Sequence, residues 1–188
     1  DLNPNDLATQ LALGRAYSNL RRYSEVNKLL GKVDASSLPG NQQAAFYQMR
    51  GQARFKEDNL DGAVSDFGQL AKLKPSDADT QYLYGTTSFK AGNLEQAIGA
   101  LGKAVQLDSK DVEMKRSYAQ VLIAKGRQTR DKTAKKSAYL QASKVAKAAV
   151  AAQGTYDNYM LLISAELGAG LYEEAITIAR DSGDKAAE

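Results

Sequence analysis

The chain has no cysteine, no histidine and no tryptophan, and only three prolines. Each absence excludes something. Without cysteine there are no disulfides, no thiolate nucleophile and no thiolate-held metal. A cysteine-free chain suits a cytoplasm and an oxidising periplasm equally, so the compartment stays open between the two. Without histidine the commonest general base and the commonest metal ligand are both missing. No apolar run approaches the roughly 18 residues that a membrane span needs. The start, D-L-N-P-N-D-L-A, shows neither a basic region nor an apolar one, and so no signal peptide is visible. No Gly-rich phosphate loop follows a strand, because no strand pattern is evident. The plentiful carboxylates, such as Glu173, Glu174, Asp77 and Asp79, sit at helix starts, where the helix dipole favours them. Catalytic residues, a metal site and a cofactor are therefore not expected, and the chain is read as a non-enzyme without a small-molecule substrate.

What is present is a recurrence. Leu2–Asp6 reads L-N-P-N-D, Leu73–Asp77 reads L-K-P-S-D and Leu107–Asp111 reads L-D-S-K-D. The second and third copies lie 34 residues apart. Gly51, Phe55, Ala63, Val64, Phe67, Leu70 and Leu73 are matched at that offset by Gly85, Phe89, Ala97, Ile98, Leu101, Ala104 and Leu107. Within each unit the apolar positions recur at i, i+3, i+4 and i+7 over two stretches, the pattern of two amphipathic helices. Asp58-Asn59 and Gly92-Asn93 separate the stretches, residue types that end one helix and cap the next. Looser units surround Gly14, Tyr118 and Leu162. Five helix pairs are expected, starting near Leu7, Ala44, Ala78, Val112 and Tyr156. The first spacing is stretched by Gly31–Asn41, and the fourth by an insertion around Arg127–Lys136.

Gly51, Phe55, Ala63, Phe67, Leu70 and Pro75 resemble the signature of the tetratricopeptide repeat, a 34-residue helix-turn-helix unit. Gly85, Phe89, Ala97, Leu101 and Ala104 resemble it again, with Ser109 in place of the proline. The resemblance implies an all-α, right-handed α-solenoid of about five helix pairs. It implies a single domain over residues 1–188, with repeats near 7–40, 44–77, 78–111, 112–155 and 156–188 and an insertion near 127–136. The opening L-N-P-N-D then reads as the tail of a repeat whose helices are missing, so the chain is expected to be a fragment of a longer protein. The short loops and the K-A-G-N-L-E-Q-A turn give the array a bacterial look.

Such solenoids are scaffolds, with a concave groove lined by the first helix of each pair. Family geometry implies that Arg15, Asn19, Gln48, Gln52, Lys56, Asp79, Tyr82, Thr86, Lys90, Glu113, Arg116, Gln120, Met160 and Ser164 face it. That row is polar and amide-rich. It suits an extended peptide backbone, with cationic ends for carboxylates; the plain alternative is a solvated face. Chaperone-binding members place Lys and Asn pairs at set positions. Here those positions hold Leu11, Arg15, Met49, Asp79 and Leu83, so binding to chaperone tails is not expected. The partner expected is a protein or peptide, held while a complex assembles.

One asymmetry suggests an alternative. Residues 115–147 carry ten basic residues and one acid, Asp131, while the rest of the chain holds 15 basic and 21 acidic residues. Lys125, Arg127, Arg130, Lys132, Lys135 and Lys136 form its basic patch. Its plain reading is a solvated, extended loop with a helical face. Its functional reading is docking on an acidic protein or an anionic membrane surface. Few aromatics interleave with the bases, so nucleic acid is not expected. Self-association through exposed end faces is a third possibility.

Overall fold

A computed structural model describes residues 7–187. The described residues form ten α-helices and one 3-10 turn, with no strand among them. The helices are α1 (Leu7–Asn19), α2 (Tyr23–Leu30), α3 (Gly40–Lys56), α4 (Leu60–Leu73) and α5 (Ala78–Lys90), then α6 (Leu94–Leu107), α7 (Val112–Gln128), α8 (Lys132–Ala152), α9 (Tyr156–Ala169) and α10 (Tyr172–Ala187). The L-N-P-N-D of residues 2–6 lies outside the described residues. No described helix is long and apolar enough to cross a membrane. The all-α solenoid class expected from the repeat is the class observed. The chain divides into two compact units, Asp1–Asn93 and Leu94–Glu188.

The helix boundaries follow from local chemistry. Asp58 adopts a left-handed backbone, φ 60°, and ends α3. Asn59 then starts α4, its side chain accepting the Gly62 N–H at 3.0 Å. Asp77, Asp111 and Asp131 cap α5, α7 and α8 in the same way, accepting the N–H groups of Thr80, Met114 and Ala134 at 2.6–2.8 Å. Such caps satisfy backbone donors that the first helical turn leaves free.

Two boundaries differ from the sequence expectation. The second pair begins at Gly40 rather than near Ala44, because Pro39, at φ −55°, starts the helix and its carbonyl accepts from Gln42 and Gln43. The insertion near 127–136 is not a loop. Only residues 129–131 lie between α7 and α8, which run to 17 and 21 residues. Lys, Ala, Gln and Leu are good helix formers, so the extra residues lengthen both helices. At the other end α10 continues through D-S-G-D-K-A-A, a stretch without an apolar period.

In the first unit Leu11, Val26, Leu30, Leu38, Phe46 and Met49 form one core cluster. Ala44, Ala63, Phe67 and Leu70 form another. Gly51 lies where a Cβ would come within 2.7 Å of the Phe67 ring, so its hydrogen sets how closely α3 approaches α4. In the second unit Leu122, Ile123, Tyr139, Ala142, Ala165 and Ala169 pack together. The Tyr139 ring is held between two glycines. A Cβ on Gly126 would stand 2.7 Å from it, and one on Gly168 would overlap it.

Candidate functional site: a polar row on the first helices

The first unit gathers five of the groove residues expected from sequence. Arg15 and Asn19 lie one turn apart on α1, and Gln48, Gln52 and Lys56 follow one another by turns on α3. All five are exposed. Arg15, Asn19, Gln48 and Gln52 line a hollow of about 200 Å³ with Ser18, Ala45 and Met49. Asn19, Gln52 and Lys56 line a second hollow of about 430 Å³, together with Ser18, Tyr23, Phe55, Phe67 and Leu83. Ser18, Asn19 and Gln52 belong to both, so the two form one continuous depression. Among the described residues, none of the five side chains in the row makes a hydrogen bond or ion pair within the protein. The depression therefore offers amide donors and acceptors and two cationic heads beside an apolar floor.

The row is held in place from behind. Asp66 of α4, only 1% exposed, bridges two arginines of α3. Arg50 meets it twice through Nη2 and Nε, at 2.7 and 3.0 Å, and Arg54 meets it through Nη1 at 2.9 Å. The Arg50 guanidinium also lies 4.4 Å from the Phe46 ring centroid. Arg50 and Arg54 alternate along α3 with Gln48, Gln52 and Lys56, so this anchor fixes the rotation of the helix that presents the row.

Other expected groove residues have different employment. Lys90 lies 4.6 Å over the Phe55 ring and 3.4 Å from Asp58, so its charge is already engaged. The Thr86 hydroxyl donates to the carbonyls of Tyr82 and Leu83 on its own helix. Tyr82 and Thr86 are half-buried and line neither hollow, while Asp79 is exposed on the first turn of α5. In the second unit Arg116 is paired with Glu113 at 2.5 Å and lies 3.8 Å from Asp157. Gln120 and Met160 are exposed and Ser164 is half-buried.

The basic patch divides as well. Lys125 is paired with Glu95 of α6 and so leaves the patch. Arg127 closes α7, Arg130 stands in the three-residue turn, and Lys132, Lys135 and Lys136 occupy the opening of α8, all exposed. Three lysines at the positive end of a helix oppose its dipole. Asp131 at the cap offsets part of that.

The structure also contains features that the sequence did not announce. Lys115 is 8% exposed and lines a cleft with Tyr118, Gln141 and Lys144. Its signal was available, since Tyr118, Ala119 and Leu122 lie three, four and seven residues further on, all on the buried side of α7. Glu166 is fully buried, its Oε1 accepting from Ser143 and meeting Lys147 at 2.7 Å. No group of three or more acidic side chains that could hold a metal occurs among the described residues.

Residues 54–121 match the family model of the tetratricopeptide repeat. No curated protein matches the chain in sequence. Among solved structures, the crystal structure of MamA superposes with a TM-score of 0.75 at 16% identity, covering 95% of this chain and 90% of that one. The crystal structure of YrrB, described as a TPR protein with an unusual peptide-binding site, superposes with a TM-score of 0.75 at 16% identity, covering 97% of this chain and 87% of that one. Identity this low speaks to fold alone. The repeat that the spacing announced is thus matched over residues 54–121, and the chain has the fold of an all-α solenoid of that kind.

Proposed function

We propose that the chain is a protein-interaction scaffold that binds an extended peptide or protein segment along the α1–α3 face of its first unit, and so helps a complex assemble. The observation that carries this reading is the unengaged row of Arg15, Asn19, Gln48, Gln52 and Lys56 beside the floor of Tyr23, Phe55 and Leu83. Side-chain amides can pair with both donors and acceptors of a peptide backbone, while Arg15 and Lys56 favour acidic side chains or a terminal carboxylate. The unusual peptide-binding site ascribed to YrrB supports the same reading by likeness of fold. The reading assigns no catalysis to the chain.

A second reading has its own observation. Arg130, Lys132, Lys135 and Lys136 are exposed at the dipole-opposed start of α8, and none makes an ion pair among the described residues. That cluster would dock on an acidic protein or an anionic membrane surface.

Affinity capture from the source cell's lysate, with mass-spectrometric identification, separates the two. One bait is the native chain, one carries Gln52→Ala with Lys56→Glu, and one carries Arg130→Glu, Lys135→Glu and Lys136→Glu. A partner lost only from the row variant supports peptide capture. A partner lost only from the α8 variant moves function to the basic cluster. A partner retained by both refutes both readings.

A further inference from the structure

The second unit holds a cleft of about 360 Å³ that neither reading uses, walled by α6, α7 and α8. Val105, Val145 and Ala148 make it apolar, and the ring of Tyr118 adds to that surface. Gly102 gives the ring its place, since a Cβ there would stand 3.1 Å from the Tyr118 hydroxyl oxygen. Burial pushes the Tyr118 hydroxyl pKa up, which keeps it a neutral donor at neutral pH.

Lys115 stands in this apolar setting with only 8% of its surface exposed. Among the described residues its side chain makes no hydrogen bond and no ion pair. The acid one turn before it, Asp111, is occupied as the cap of α7, with its Oδ1 accepting the Met114 N–H at 2.8 Å. No acidic residue lines the cleft, and Lys144, also without a partner, lines it as a second cation. The Lys115 stem packs into the apolar walls while its ammonium keeps contact with solvent, so the cleft carries two cations and no acid, and a carboxylate placed there gains charge-assisted contacts. Gln141 supplies an amide able to donate to a peptide carbonyl and accept from a peptide N–H.

We propose that this cleft is a second binding site, independent of the α1–α3 row, and that it takes an acidic peptide segment carrying one apolar side chain. The carboxylate meets Lys115 and Lys144, and the apolar side chain lies between Val105, Val145 and Ala148. At the small end of the range for ligand sites, the volume suits one anchoring side chain with its neighbours. A peptide fits better than a lipid surface because the cleft is closed in by α6, α7 and α8, which admit one side chain but not the face of a bilayer.

The test is fluorescence anisotropy of the whole chain with labelled short peptides, each with Leu or Phe at its centre and either Asp or Asn on both sides. The Asp peptides should bind about tenfold tighter or better, the value of one charge-assisted bond. Lys115→Met should abolish that preference. Lys144→Gln, an exposed change that leaves the packing alone, should reduce it. Ala148→Trp should fill the cleft and weaken both peptide sets. Equal binding of the Asp and Asn peptides would overturn the proposal. So would a preference that survives both lysine changes, or binding seen only with vesicles of phosphatidylserine and phosphatidylcholine.

Discussion

Removing the Asp66 carboxylate tests whether α3 is held in rotation by a buried charge. In Asp66→Ala both Arg50 and Arg54 lose their counter-ion. Breaking a buried pair by deleting one partner costs about 3–5 kcal/mol. Here the arginine side chains keep 15% and 24% of their surface exposed, so both can recover some hydration. That places the loss at the low end, about 3 kcal/mol. For a chain of this length each kcal/mol lowers the melting temperature by about 2–4 °C, so a fall of about 6–12 °C is expected. Arg54→Met leaves the two-point Arg50 contact intact and should cost only about 1 kcal/mol. Both are read by circular dichroism during thermal and urea unfolding. A buried pair is weakly screened, so the difference should persist at about 0.5 M salt. Because α3 carries Gln48, Gln52 and Lys56, Asp66→Ala should also weaken any ligand held by the row. A loss below about 1 kcal/mol would refute this reasoning, because it lies under the range for an uncompensated buried charge. So would an Arg54→Met variant as damaged as Asp66→Ala.

Gly168→Ala should destabilise the second unit by about 1–3 kcal/mol, because the new methyl meets the Tyr139 ring; adding Tyr139→Leu should recover part of the loss on urea unfolding. Asp77 has a lowered pKa, first through the Thr80 hydroxyl and then through the Thr80 backbone N–H. Its cap therefore stabilises above the ordinary carboxylate range and is lost as pH falls through its lowered value; Asp77→Ala should cost about 1 kcal/mol at neutral pH and flatten the acid limb of a stability-against-pH curve. Lys147→Met strands the buried Glu166 and should cost about 3 kcal/mol, while Lys147→Arg should restore most of it in the same unfolding assay.

Much of this architecture is legible in the sequence, and the limits have physical causes. Ala63 and Ala97 recur at the 34-residue offset because close helix crossings need small side chains, and both are fully buried. Asp58 and Asn59 announce the α3–α4 turn because few residues other than glycine, asparagine and aspartate tolerate its backbone. Arg15 shares a helix face with Asn19, and Gln48 with Gln52 and Lys56, which helical period alone makes visible. Lys90, Lys125 and Arg116 look like available cations in the sequence, yet each is engaged by an acid. Two of those acids, Asp58 and Glu95, lie 32 and 30 residues away in sequence. Only the Glu113–Arg116 pair, three residues apart on one helix, carries a local signal. The insertion misleads because a break in the apolar period resembles a break in the helix. Lys115 is hidden among ten bases in its segment; only its register on α7 marks it as buried.

The glycine clamp on Tyr139 has a consequence for motion. An aromatic ring turns over about its Cβ–Cγ axis only when its neighbours move aside. Here the faces of α7 and α9 both press on it where glycine leaves no side chain to yield. Backbone is the part of a helix that gives least, so each half-turn of the ring requires a transient separation of α7 from α9. The exchange broadening of the paired ring protons of Tyr139 therefore serves as a clock for the breathing of this three-helix stack.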